Sequence, residues 1–408
     1  MSIKLSRRDF LKASAISALG VATLGPSVAL GESTDASAPA SEAPAAGAAA
    51  AGASGVVDRT ALSHRAWDDP ELLVKIRWSG VNFYEFVLPS GVSIVMDPYF
   101  DDPDNDHNEY KYTPTDLPGG EWVHGADYIL LTHGHFDHTG ELPSVMEKYP
   151  LAHVVAPEHG LPSIIFGHDN KINYAGHYFD AAGAHDKFIY KGFTLETCRS
   201  NHNVSAKPTA DSLDGSKYQN ADGNVNFYEL YRWIYEREIM NMKITTDEGF
   251  TILIWNSEMQ ADGMGFESRS YFYKDAKPDL FMYQVAGASF DYDRRNPNCK
   301  HMGEWIASVK GSAAMPEHQQ HFSYDELDAM SAQFSDICNA QGVSTAFLTP
   351  ETGVWYGYTK DADGNIDICL VLARPAGFEP LFFGRLFPAA AVAVSFLVRV
   401  FYRPPVRA

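Results

Sequence analysis

"DYILLTHGHFDHTG", Asp127 to Gly140, decides how this chain is read. Its first half is an apolar run after a turn, the pattern of a strand covered on both faces. Its second half places His133, His135, Asp137 and His138 close together between glycines. In an extended segment alternate residues share a face, so His133 and His135 turn their imidazoles to one side. Gly134 lets the backbone bend tightly between them. Asp137 and His138 then point elsewhere, which suits a second cation beside the first. Catalytic zinc takes such nitrogen and oxygen donors and keeps one position for water. A loop of this kind at the carboxyl end of a buried strand opens into the crevice where α/β sheets bind ligands.

The flanking sequence gives the strand its setting. "LLVKIRWSGVNFYEFVLPSGVSIVMDPYF" (Leu72–Phe100) holds three short apolar or alternating runs separated by Gly and Pro turns, predicting a β-meander whose third strand ends at Asp97. "ELPSVMEKY" (Glu141–Tyr149) has a helical pattern with Glu141 early and Lys148 late. "LAHVVAPEHG" (Leu151–Gly160) is another strand, completing a strand–loop–helix–strand unit of an α/β fold. Further strands are predicted in Phe193–His202, Phe250–Met259, Asp279–Val285, Ser344–Pro350 and Ile366–Ala373. Helices are predicted in Phe227–Met242 and in Ser323–Gln341, the latter with Ser323 as its N-cap.

The spacing H-x-H-x-D-H, entered from its strand, resembles the first metal loop of the metallo-β-lactamase superfamily. The upstream "SIVMDPYF" (Ser93–Phe100) is similar to the ascorbate-6-phosphate lactonase-like and N-acylphosphatidylethanolamine phospholipase D-like branches. The resemblance runs from about Leu72 to Leu372 and implies an αββα sandwich. It also implies three more ligands. A mid-chain histidine at a strand end falls on His202, with His153 and His159 too soon after the first loop. An acid bridging two metals falls on Glu258, where the family usually has aspartate; Asp262 is the fallback. A late histidine after a proline falls on His318 in "AAMPEHQQHFSYDEL" (Ala313–Leu327), with His321 as its rival. The implied metal set is thus His133, His135, Asp137, His138, His202, Glu258 and His318. The implied cofactor is zinc, two ions, with iron or manganese as alternatives. The di-iron branch carries an acid where this chain has His135, and imidazole there favours zinc.

The reaction this predicts is hydrolysis. A water shared by two cations ionises near neutral pH and attacks an ester, lactone or phosphodiester, while Asp137 orients it. An iron-dependent oxidoreductase and a metal-binding module without turnover are the rival readings on the same scaffold.

The ends of the chain carry other signals. "SRRDFLKAS" (Ser6–Ser14), an apolar stretch to Leu30 and "SVA" (Ser27–Ala29) resemble a twin-arginine export signal with its cleavage site. Residues 1–30 are therefore expected to be that signal, with the translocation machinery as a partner and the periplasm as destination. Residues 31–60, mostly Ala, Ser, Pro and Gly, are expected to be a flexible linker. The hydrolase domain is expected over 72–372 and a tail over 373–408. Its uncharged stretch Leu386–Val398 is short for a membrane span, which needs about 20 residues, and reads as a packed helix.

Composition narrows the partners. The 408 residues carry 52 acids against 32 bases, a formal charge of −20, which leaves no basic footprint for nucleic acid. A small-molecule or lipid-like substrate is expected instead. The four cysteines, Cys198, Cys299, Cys338 and Cys369, lie far apart and form no disulfide framework.

Overall fold

The computed structural model describes residues 55–99, 123–158, 160, 161, 164, 177–201, 238–256, 276–285, 292, 293, 296, 297, 300–320 and 322–372. The chain order begins with β1 (His64–Arg65), β2 (Val74–Trp78), β3 (Tyr84–Val87), β4 (Ser93–Met96) and β5 (Tyr128–Leu130). Two short helices follow, α1 (Phe136–Thr139) and α2 (Leu142–Lys148), then β6 (His153–Pro157), β7 (Tyr178–Ala182), β8 (Lys187–Tyr190) and β9 (Phe193–Asn201). Next come β10 (Glu238–Thr246), β11 (Thr251–Trp255), β12 (Leu280–Gln284) and a two-stranded ribbon of β13 (Tyr292–Asp293) and β14 (Asn296–Pro297). The last elements are α3 (Lys300–Val309), β15 (Ala313–Glu317), α4 (Tyr324–Ala340), β16 (Ala346–Phe347), β17 (Trp355–Lys360) and β18 (Ile366–Val371).

Two mixed sheets result, ordered β1-β18-β17-β2-β3-β4-β5-β6-β7 and β16-β15-β12-β11-β10-β9-β8. Side-chain alternation sorts their residues into layers. Ile76, Trp78, Phe86, Ile94 and Leu130 of the first sheet share one buried cluster with Met242, Ile252, Ile254, Met282 and Met315 of the second. The two sheets therefore pack face to face. On the far side of the first sheet, Val95, Ile129 and Val154 meet Leu142, Val145 and Met146 of α2. On the far side of the second, Leu253, Trp255, Phe281 and Tyr283 meet Ile306 of α3 and Leu327, Met330 and Phe334 of α4. The layers run helix, sheet, sheet, helix, the αββα arrangement expected.

The predicted meander is present, with β2, β3 and β4 paired antiparallel. Ile129 and Leu130 are fully buried in clusters on opposite faces, so β5 is covered on both sides. Ser323 caps α4 through a complete capping box with Glu326.

Two expectations need correction. Glu238–Met242, the end of the predicted aromatic helix, is strand: β10 pairs with β9 along nine residues and with β11 on its other side. Pairing on both edges overrides the local helical pattern; Phe227–Arg237 lies outside the described residues. Residues 56–60, expected within the flexible linker, also lie in packed structure. Val56 bridges to Phe347, Arg59 forms an ion pair with Asp328 at 2.9 Å, and β1 pairs in parallel with β18. Arg59 and the small apolar residues around it find partners in the body of the fold, which composition alone does not reveal. The expected signal segment, residues 1–30, and the tail, 373–408, lie outside the described residues. Among the described residues no helix is long and apolar enough to cross a membrane. Cys198, Cys338 and Cys369 are buried.

Candidate metal centre

The site forms where the carboxyl ends of β4 and β5 face those of β11, β12 and β15. Asp97 directly follows β4, and its φ of 43° turns the chain sharply. That turn aims the carboxylate back at the start of the histidine loop. Asp97 Oδ1 accepts from the Thr132 amide at 2.7 Å, and Oδ2 accepts from Thr132 Oγ1 at 2.5 Å. Asp97 Oδ2 also lies 2.8 Å from His138 Nδ1. Assigning that bond to an Nδ1–H leaves Nε2 as the acceptor nitrogen of His138, 3.9 Å from Asp137 Oδ2.

The segment after Thr132 is more compact than an extended loop. Residues 136–139 form the single turn α1, held by His138 N–H donating to the His135 carbonyl at 3.1 Å and by Thr139 Oγ1 on the same carbonyl at 3.0 Å. This turn folds His138 back over His133, with ring centroids 3.8 Å apart. His133 Nε2 and His135 Nδ1 are 3.0 Å apart. His133 and His138 are buried, whereas Asp137 is half-exposed. Anchors from the second sheet close the loop: the Met240 amide donates to the Thr132 carbonyl at 2.8 Å.

The second sheet contributes His318. It follows β15 with φ 54°, so its side chain leaves the strand's alternation and swings across to the loop. His318 Nε2 lies 3.1 Å from Asp137 Oδ2, and its Nδ1 lies 3.1 Å from Gln320 Oε1. Ligand atoms of Asp137, His138 and His318 all lie within 4.8 Å of one another. Tyr84 Oη donates to the Pro316 carbonyl at 2.5 Å, tying the meander to the end of β15.

Five of the seven expected ligands are therefore brought together: His133, His135, Asp137, His138 and His318. His202, Glu258, Asp262 and His321 lie outside the described residues, as does His159. His153 is remote in role, paired with Asp180 at 2.9 Å on the β6–β7 side.

The donor chemistry fits a cation. If His318 Nδ1 carries the proton toward Gln320, its Nε2 lone pair confronts a carboxylate oxygen at 3.1 Å. Two acceptors this close need a proton or a metal cation between them. Burial alone would raise the Asp137 carboxyl, but His138, His318 and His135 outweigh it and hold the group below the ordinary carboxylate range. For His138, burial lowers the imidazole, and the Asp97 and Asp137 carboxylates reverse this to a net upward shift.

Several residues around the ligands carry no spacing signal in the sequence. Asn82, fully buried on the β2–β3 turn, brings its Nδ2 within 2.9 Å of His138 Nε2 and 3.2 Å of Nδ1. Val81 beside it has φ 44°, unusual for a β-branched residue. Val81, Asp97 and His318 thus put strained backbone on three sides of one site, each strained residue costing about 1–3 kcal/mol. Asp97 was visible only as a strand end.

A family model described as the metallo-beta-lactamase superfamily matches residues 126–212, the stretch that holds the histidine loop. That segment of the chain is similar to the superfamily. A UPF0173 metal-dependent hydrolase of Halorubrum lacusprofundi is 33% identical over 105 residues, 25% of this chain and 36% of that relative. A UPF0173 metal-dependent hydrolase of Herpetosiphon aurantiacus is 37% identical over 82 residues, 20% of this chain and 30% of that relative. The chain thus spans about a third of the length of these curated relatives. Among solved structures, the metallo-beta-lactamase fold protein YhfI from Bacillus subtilis is 12% identical with a TM-score of 0.42, covering 69% of this chain and 98% of that one. The matched segment carries His133, His135, Asp137 and His138, and His318 lies beyond it.

Proposed function

We propose that this protein is an exported metal-dependent hydrolase that cleaves an ester, lactone or phosphodiester bond. The observation that carries the reading is the convergence of Asp137, His138 and His318, from two sheets, to within 4.8 Å. The names of the curated relatives, metal-dependent hydrolases, support it. His133, His135, Asp137, His138 and His318 would hold the metal, with His202 and Glu258 as further candidates. Nitrogen-rich donors favour zinc over hard cations, and iron or manganese are the alternatives. Bound there, divalent cations would polarise a carbonyl or phosphoryl oxygen and acidify water.

The chain's own groups then have defined tasks. Asp97 fixes the tautomer and tilt of His138 through its Nδ1. Asp137, half-exposed and held ionised, accepts a hydrogen bond from the attacking water and orients it toward the scissile bond. Its depressed basicity suits orientation better than proton storage. Buried walls from both sheets keep bulk water from His133 and His138 and strengthen electrostatic interactions there. The lactonase-like and phospholipase D-like resemblance of "SIVMDPYF" favours a small or lipid-like substrate. The Arg7–Arg8 pair and the apolar stretch behind it favour export by the twin-arginine machinery to the periplasm.

The test joins metal analysis to turnover. Protein purified without added metal should carry zinc, and zinc-loaded protein should hydrolyse members of an ester, lactone and phosphodiester panel. Iron as the dominant metal would move the reading to an oxidoreductase. Bound metal with no hydrolysis of any panel member would reject the hydrolase. Cell fractionation of the full chain, with Arg7 and Arg8 replaced by Lys as control, tests export.

A further inference from the structure

Beneath the histidines lies a second polar group of different chemistry. β12 and β15 pair with Gln284 opposite Glu317, and β11 pairs with β12 so that Asn256 stands beside Gln284. Two residues earlier the same positions are Ile254, Met282 and Met315, all in the core between the sheets. By strand alternation Asn256, Gln284 and Glu317 continue that row on the same face. Neighbouring strands are about 4.8 Å apart, so the three side chains are lateral neighbours. They are 0%, 2% and 0% exposed.

The hydrogen bonding of this row is one-sided. Asn256 Nδ2 donates to Glu317 Oε2 at 2.9 Å. Three oxygens then lack a donor: Asn256 Oδ1, Gln284 Oε1 and Glu317 Oε1. All are acceptors, and among the described residues no ion pair reaches Glu317. A buried carboxylate is costly without a positive partner, and each buried orphan acceptor adds its own desolvation penalty. A proton on Glu317 would satisfy one acceptor and leave the others. A cation reached by all three side chains would satisfy them together.

We infer that Asn256, Gln284 and Glu317 form a second cation site, for a hard, oxygen-preferring ion of the Ca2+, Mg2+, Na+ or K+ class, buried between the sheets under the histidine centre. The donor set separates it from the histidine centre, which is nitrogen-rich and suits zinc. One carboxylate and two amide carbonyls make an incomplete oxygen shell, with water filling the rest. The ion neutralises Glu317 and cross-links three strand ends that carry His318 at their edge. This inference does not depend on hydrolysis, since its readout is stability.

The experiment uses the full chain, stripped of hard cations in a buffer whose only cation is tetramethylammonium. Thermal midpoints are measured with CaCl2, MgCl2, NaCl or KCl added at matched ionic strength. One ion should raise the midpoint saturably, as binding to the folded state requires. Gln284→Leu and Glu317→Gln should each abolish that rise, while His133→Ala should keep it. If Glu317→Gln fails to fold, Gln284→Leu, a neutral change, decides alone. No rise with any of the four ions would overturn the site and leave water as the occupant. A rise that survives Gln284→Leu, or vanishes in His133→Ala, would overturn it equally by placing the ion elsewhere.

Discussion

Glu85 in the first sheet and Glu317 in the second are both fully buried glutamates on strands, yet their surroundings are opposite. Glu85 is saturated. Arg77 pairs with it through Nε at 2.7 Å and through its terminal nitrogen, the His124 amide donates at 2.7 Å, and Ser79 Oγ lies 3.4 Å away. Arg77 in turn sits 4.7 Å from the Trp355 ring centroid. Glu317 has one amide donor and an orphan oxygen, and burial together with the Asp97 charge pushes its carboxyl well above the ordinary value. The first carboxylate is part of a closed structural network. The second is left open toward the strand ends where the ligands gather, and open polar groups in a native core point to something bound.

The largest expected effect tests the closed side of this contrast. Arg77→Met leaves Glu85 charged and buried without its partner, which should cost about 3–5 kcal/mol of stability, read as a lower urea midpoint. A loss below 1 kcal/mol, on the scale of an exposed pair, would erase the distinction drawn between the two glutamates. On the open side, His133→Ala should lower hydrolysis by about a hundredfold to a thousandfold, the range seen when one transition-state stabiliser is removed. Its urea midpoint should fall far less than that of Arg77→Met. Unchanged turnover in His133→Ala would remove the histidine loop from the chemistry.

How much of this was legible in the sequence follows the same division. His133, His135, Asp137 and His138 are close in sequence, so their spacing exposes them; turns and apolar runs predict single strands, and the αββα layering came only through the family resemblance. The pairing of Arg77 with Glu85 and the row of Asn256, Gln284 and Glu317 are invisible along the chain, because register across strands creates them. His318 could be placed only through a family resemblance, because its reach to Asp137 depends on a left-handed backbone that no local motif announces. Two misreadings share one cause. Glu238–Met242 took strand and Val56–Arg59 took up packing because distant partners outweighed local composition.

Asp97 sits between the two classes, since it is buried, fully hydrogen-bonded and in contact with a candidate ligand. Asp97→Asn keeps the shape but replaces one acceptor oxygen by a donor that faces His138 Nδ1–H or Thr132 Oγ1–H. Zinc affinity, measured by competition with a chromophoric chelator, should fall about 10–100-fold, as when an outer partner of a ligating histidine is lost. Turnover at saturating zinc should fall less than in His133→Ala. An unchanged affinity would show that Thr132 and Asn82 alone suffice to hold the His138 ring.

The smallest effect belongs to a region that serves the site only as scaffold. The Ser323 amide donates to Glu326 Oε2 at 2.8 Å, and the Glu326 amide donates to Ser323 Oγ at 3.3 Å, so α4 starts with both halves of its cap in place. Ser323→Ala removes the hydroxyl and with it one satisfied amide, a loss of about 1 kcal/mol, seen as a shifted urea midpoint with an unchanged slope. Turnover should stay at the parent level, because Leu327, Met330 and Phe334 hold α4 against the second sheet through buried apolar contacts that the cap does not touch. A fall in turnover comparable to that of Asp97→Asn would mean that the start of α4 controls where His318 points, and the division between scaffold and site would then have to be drawn through the loop that joins them.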